Sequence, residues 1–220
     1  LPRLMLGKNT LAEHTGGMQE RHPTATRIIE VALALFADHG LEATPIVRIE
    51  EAAGLSPGSG SFYKHFKSKA EIIRAARDDM TAAVPDAGAA LDSLSDLDVD
   101  QQLRLIGAGM LAMYDTQRNL VLAGLRLPPD HDLLEHGPGV STSAAGIDWF
   151  EGWIQRTVTE RSVAVTNARA TGLLLLGGIF SFWLSEQLRE GDTLGVNRSQ
   201  LLEAWAELAL AALGIAHPTD

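Results

Sequence analysis

At 220 residues, 45% of them hydrophobic, the chain can bury one large or two small cores. It holds no cysteine, which excludes a disulfide framework and a thiolate metal site and agrees with a reducing cytoplasm. The formal net charge of −10 argues against an architectural DNA protein, which needs basicity over its whole surface, yet the charge is uneven: residues 1–80 hold ten basic and ten acidic residues, and residues 81–220 hold eight against eighteen.

Residues 1–20 mix Lys8, Glu13, His14 and a Gly pair with scattered Leu, and they lack the basic start, apolar run and small-residue site of a secretory leader. They are expected to form a disordered arm. The first helix is expected from Thr24 to His39, with Ile29, Ala32, Leu33 and Phe36 on one face and Gly40 as its stop. A second helix should start at Thr44 as N-cap with Pro45 in its first turn, run through Ile46, Ile49 and Ala53, and stop at Gly54. Ser56-Pro57 or Ser59 can cap a third helix after a very short turn. This is the grammar of a helix-turn-helix unit, whose second helix enters the DNA major groove.

In that third element Phe62 and Phe66 are four apart and share a buried face, so Tyr63, Lys64 and His65 point away from it. Over residues 64–77, Lys64, Lys67, Lys69, Arg74 and Arg77 face one acid, Glu71. A local basic cluster suffices to neutralise phosphates. Ser68-x-x-Glu71 is a capping box that starts a further helix at Lys69, with free N–H groups and a lysine suited to a phosphate. Tyr63, His65 and Lys69 are the expected phosphate contacts. Arg48, Ser59, Ser61 and Lys64 are the candidates for bases or groove, and Thr44 and Ser56 join them at the helix starts.

Thr26-Arg27, Ala34-Leu35-Phe36, Gly40, Thr44, Ile49, Ala53-Gly54-Leu55-Ser56, Gly58 and Phe62 to Lys69 together resemble the N-terminal domain of the TetR family over residues 24–75. The resemblance implies an all-α homodimeric transcription factor, usually a repressor released from its operator by a small ligand, and no enzyme. Three positions depart from the pattern. Ser59-Gly60-Ser61 lengthens the segment before Phe62 by two residues, Pro45 stands where a hydroxyl residue is common, and Glu50 replaces a common small Ala.

Three parts follow: an arm at 1–20, a helix-turn-helix domain at 21–67, and a ligand-binding and dimerisation domain at 68–220 in which 68–84 form a connecting helix. Pro85 and the Gly-, Ala-, Ser- and Asp-rich segment 86–98 read as a helix end and a loop. A helix beginning near Val99 carries Leu103, Ile106, Met110, Met113 and Tyr114, with Gly107 and Gly109 leaving room for a close approach. Another covers 119–127. His131 and His136 lie in an irregular stretch without further ligand residues at metal spacing, so no metal site is expected. From Ser143 to Arg161 a helix places Trp149 and Trp153 one turn apart.

The last two helices, near 166–190 and 198–213, are apolar on nearly every side and are expected to be covered by the chain's own core on one side and by a second copy on the other. The apolar run 172–184 alone is too short to span a bilayer. Met110, Met113, Tyr114, Trp149, Trp153, Phe180 and Trp183 are the candidate lining of a pocket for an apolar or aromatic effector. Nucleophile-elbow, phosphate-loop, zinc-helix and dinucleotide signatures are all missing, since Gly58-x-Gly60 lacks a third glycine and a preceding strand. No cofactor is expected. The alternative to a cytoplasmic DNA-binding regulator is a helical small-molecule enzyme or carrier built around Trp149 and Trp153.

Overall fold

The computed structural model describes residues 21–83, 88–90, 93, 95–127, 144–188 and 195–216. The arm expected over 1–20, His131 and His136 lie outside them, as do residues 84–87, 91, 92 and 94 of the stretch expected to form a loop after Ala83. Among the described residues all regular structure is helical.

The N-terminal unit is built on α1 (Pro23–His39). The His22 imidazole accepts from the Thr24 amide at 3.2 Å, and Gly40, at φ 85°, closes the other end. Ile28, Ala32 and Phe36 on its inner face are completely buried. Helix α2 (Ile46–Ala52) and a short 3-10 turn (Ser61–Lys64) pack beside it, and α3 (Lys69–Ala82) completes the unit. The Ser68 hydroxyl caps α3 by accepting from Glu71 N at 3.3 Å. The Glu71 carboxylate accepts in turn from Lys67 N, one residue before the position a reciprocal capping box uses.

Two local expectations fail. Thr44 is not a helix cap: it is completely buried and its hydroxyl donates to Gly40 O at 2.8 Å, tying the α1–α2 loop shut. Pro45 takes the capping position, without a side-chain bond. The expected third helix is reduced to the 3-10 turn, because Gly58 and Gly60 both take φ 73° and keep the intervening chain out of a regular helix.

The second unit comprises α4 (Val99–Thr116), α5 (Arg118–Leu125), α6 (Ala144–Glu160), α7 (Ala168–Leu188) and α8 (Arg198–Ala212). Asp98 caps α4, and Asn197 with Gln200 forms a complete capping box on α8. Tyr114, Phe150, Ile154, Ile179, Trp183 and Ala209 have no exposed surface at all. The room at Gly107 admits α8: a Cβ there would sit 2.7 Å from Leu202 and 3.3 Å from the Trp205 ring. Gly172 similarly faces Phe150 of α6.

Helix α5 belongs to both units. Leu120 and Ala123, with Leu127 just beyond, complete the core around α1, while Val121 enters the core of the second unit. Met113 packs against both. Among the described residues the most extensive helix pairing is α1 on α5, and α3 also touches α5. The connecting helix therefore shares the joint between the units with a second element.

Helix α7 runs 21 residues, longer than its apolar run, and by length and composition could cross a membrane. Its inner face is committed to protein, with Leu175, Leu176, Ile179, Phe182 and Trp183 in the core. Leu173 and Leu174 lie outside.

Candidate functional site

The sequence-derived DNA contacts divide by their surroundings. Phe62 is fully buried, Phe66 nearly so, and their rings lie 6.1 Å apart, so they fasten the 3-10 turn to the core. Tyr63, between them in the chain, is 59% exposed, and Lys64 is exposed beside it. The Ser59 and Ser61 hydroxyls are 2.7 Å apart on the outside of the preceding loop, and Ser56 and Arg48 are also exposed. His65 is half-buried against the His22 ring at 5.5 Å, next to the start of α1. One edge of the unit thus presents hydroxyls, a phenol and cations together, the donor types that contact phosphates and base edges.

Thr44 and Lys69 do not belong to that edge. Thr44 is buried as described. The Lys69 ammonium donates to Leu41 O at 2.6 Å, Thr44 O at 3.2 Å and Glu42 O at 3.4 Å. All three protons of the ammonium have carbonyl acceptors, so it locks the α1–α2 loop onto the start of α3 instead of reaching outward. The spacing of Ser68, Lys69 and Glu71 signals a helix start and says nothing of a loop more than twenty residues upstream.

Residue Glu50, which the pattern marks only as a departure, proves structural: its carboxylate is buried behind the loop and accepts from Gly58 N and Phe62 N. Arg27 Nε donates to Ala53 O at 3.1 Å, and Arg21 pairs with Asp79. These bonds hold α2 and α3 against α1 from behind the exposed edge.

The seven effector candidates fall into two aromatic groups. Tyr114 of α4 meets Phe180 and Trp183 of α7, each at 5.4 Å between ring centres, and Met110 and Met113 pack against the same core. On α6, Trp149, Phe150 and Trp153 stack in series at 6.1 and 5.6 Å. Trp149 Nε1 is buried with no acceptor among the described residues. Trp153 Nε1 donates to Gln102 Oε1 at 3.1 Å, and both residues line a cleft of about 290 Å³ with Ser95, Arg156, Thr157, Glu160 and Arg161. The one signal of this polar lining in the sequence is Arg156, three residues after Trp153 and so one turn along the helix.

At the far end of the α4–α7 group, Arg198 forks between Asp115, at 2.6 and 2.9 Å, and Glu186, at 2.9 Å. Its guanidinium, with help from the Trp183 indole, holds the Asp115 carboxyl below the usual carboxylate range, against a smaller desolvation effect.

Residues 28–76, which include α2, the 3-10 turn and most of α1 and α3, match the family described as "Bacterial regulatory proteins, tetR family". Over these residues the chain matches the TetR family. The KstR2 transcriptional repressor of Rhodococcus jostii is 41% identical over 73 residues, 31% of this chain and 33% of that repressor, so the match spans about a third of the relative's length. The transcriptional regulator SrpR of Pseudomonas putida is 25% identical over 179 residues, 79% of each chain. A TetR-family regulatory protein from Rhodococcus RHA1 superposes with a TM-score of 0.62 at 20% identity, covering 89% of this chain and all of that one. FadR of Bacillus subtilis, solved in complex with stearoyl-CoA, gives 0.61 at 16%, covering 86% and 96%.

Proposed function

We propose that this TetR-family chain is a cytoplasmic transcriptional repressor that binds a palindromic double-stranded operator as a homodimer and leaves it when a small apolar or aromatic effector binds. The observation that carries this reading is the 3-10 turn with Phe62 and Phe66 fastened inside and Tyr63 and Lys64 outside. A buried staple under an exposed polar edge fixes the height and orientation of side chains that must meet a rigid duplex. On this reading Tyr63 and His65 hold phosphates, while Arg48, Ser56, Ser59, Ser61 and Lys64 reach bases or groove walls.

Dimerisation is supported by the outer faces of α7 and α8, which pack on each other. Leu174 is 79% and Leu208 62% exposed, and a Cβ at Gly177 would meet nothing within 4 Å. Apolar surface of this kind on two paired helices suits a four-helix contact with a second copy. Such a dimer would set two reading edges at a spacing near a multiple of ~34–36 Å.

The effector site is supported by the two aromatic groups and by the buried Nε1 of the half-buried Trp149, which an acceptor atom on the ligand would satisfy. The cleft beside Trp153 adds a polar lining in which Arg156 and Arg161 stand with Glu160, which lies 3.6 Å from Arg161. FadR, a protein of this fold, was solved in complex with stearoyl-CoA. Release requires the effector to prefer one arrangement of the units over the other. Helix α5 is suited to transmit that preference because Val121 faces the effector domain while Leu120 and Ala123 sit under α1.

Titration of a duplex operator by fluorescence anisotropy tests the reading edge. Tyr63→Ala should weaken binding about tenfold. Lys64→Ala should weaken binding to the operator more than to a scrambled duplex, as loss of a base or groove contact does. Unchanged affinity in both variants, with the dimer intact, would defeat the assignment.

A further inference from the structure

Glu50 is 1% exposed, and no cation is paired with it among the described residues. A carboxylate buried without a cation is tolerated only where donors converge on it, and here they are two backbone amides. Gly58 N donates to Oε2 at 2.7 Å and Phe62 N to Oε1 at 3.1 Å. The two amides are the ends of the segment that carries the added length, Ser59-Gly60-Ser61. Between them the chain passes through left-handed backbone at Gly58 and Gly60, both at φ 73°.

The outward side of the same segment is tied by hydroxyls. The Ser59 and Ser61 hydroxyls are hydrogen-bonded to each other at 2.7 Å, and Ser61 N donates to Ser59 Oγ at 3.3 Å. The loop is therefore gripped from the inside by one carboxylate while its outside presents the hydroxyls and, one residue past the grip, Tyr63. Few other bonds restrain it: Ser59 N to Ser56 O at 3.2 Å and Tyr63 N to Gly60 O at 3.1 Å are both local and would survive rotation of the whole segment.

We infer that Glu50 is a positioning residue for DNA reading, an internal clamp that sets the register of the lengthened 58–62 loop and so the place of Ser59, Ser61 and Tyr63 on the operator. Two departures from the family pattern are then one device. An alanine at position 50 leaves both amides without their acceptor, and a loop of ordinary length brings no second amide to be held. The clamp never touches DNA, so its removal should act on discrimination more than on general attraction to phosphates, which the surrounding lysines and arginines retain.

The inference rests on the regulator reading, and its test keeps the two apart. Purified wild-type chain is first used to select its preferred duplex from random DNA. Glu50→Gln, which keeps the volume but can accept only one of the two amides, and Glu50→Ala are then titrated against that duplex and a scrambled one, with thermal melts as a check on folding. Both variants should lose about tenfold or more on the selected duplex and less than about threefold on the scrambled one. Amide exchange at Gly58 and Phe62 should accelerate in the free Gln variant, a readout that needs no DNA. Equal affinity of wild type and both variants for the selected duplex, or equal losses on the two duplexes, would overturn the clamp while leaving the regulator reading standing. A wild-type chain that selects no sequence, with exchange at the two amides unaltered in the variant, would overturn both.

Discussion

The indole Nε1 of Trp183 donates to Asp115 Oδ1 at 3.1 Å, joining the inner face of α7 to the last turn of α4. Arg198, at the start of α8, grips the same carboxylate, so three helices meet at one side chain beside the Gln117 junction where α4 gives way to α5. The junction lies close to Leu120, which sits in the core under α1. A change around Trp183 therefore has a short route to the reading unit.

This carboxylate should leave a signature in acid. Its folded pKa lies below the value of about 3.9 expected in the unfolded chain, so its stabilisation is complete above that value and is lost as pH falls through the folded pKa. Asp115→Asn keeps an acceptor for Trp183 but no charge for Arg198. Thermal melts from pH 6 to pH 2 should show the variant less stable than wild type at neutral pH, with the gap closing below about pH 4. A gap constant over that range would show that the ion pair contributes nothing.

Lys69→Met separates a structural lysine from a phosphate contact. Removing the ammonium leaves the carbonyls of Leu41, Glu42 and Thr44 without their shared donor. A partly buried set of this kind should cost about 1–3 kcal/mol, and for a chain of this size each kcal/mol corresponds to roughly 2–4 °C in Tm. The salt slope of DNA binding should stay unaltered. A normal Tm with a slope lower by about one unit would return Lys69 to the DNA interface.

At the outer faces of α7 and α8, Leu174→Glu should place a charge in the subunit contact. Sedimentation at micromolar concentration should show a dimer for wild type and a folded monomer for the variant, whose affinity for the full palindrome falls with it. A wild-type monomer would remove the four-helix contact.

For the effector, Trp153→Ala and Trp183→Ala probe the two aromatic groups independently. Once a ligand that releases the operator is identified, at least one of these variants should bind it about tenfold more weakly by titration calorimetry while still binding DNA. Wild-type affinity in both would place the site elsewhere in the second domain.

Periodicity made the helices legible. The spacing of Ile29, Ala32, Leu33 and Phe36 marks the inner face of α1, Gly40 its end, and Phe62 with Phe66 the buried side of the reading turn. What periodicity cannot show is which distant group a polar side chain will meet. The sequence around Thr44 and Lys69 speaks only of helix starts and Glu50 stands out only against the family pattern, yet Lys69 bonds to carbonyls more than twenty residues away and Glu50 to amides eight and twelve residues on. The double allegiance of α5 was hidden for the same reason: Leu120, Val121 and Ala123 are apolar whichever core they enter. Of the two glycines expected to admit a close approach, Gly107 receives α8, while a Cβ at Gly109 would meet nothing within 4 Å.

The most direct measurement is selection of bound fragments from random duplex DNA by the purified wild-type chain, followed by sequencing. Enrichment of one inverted repeat, with half-sites spaced for two reading edges on the same face of the helix and with release on binding of effector, is the expected result. A pool that stays random after repeated rounds, with binding that depends on salt but on no sequence, would contradict it.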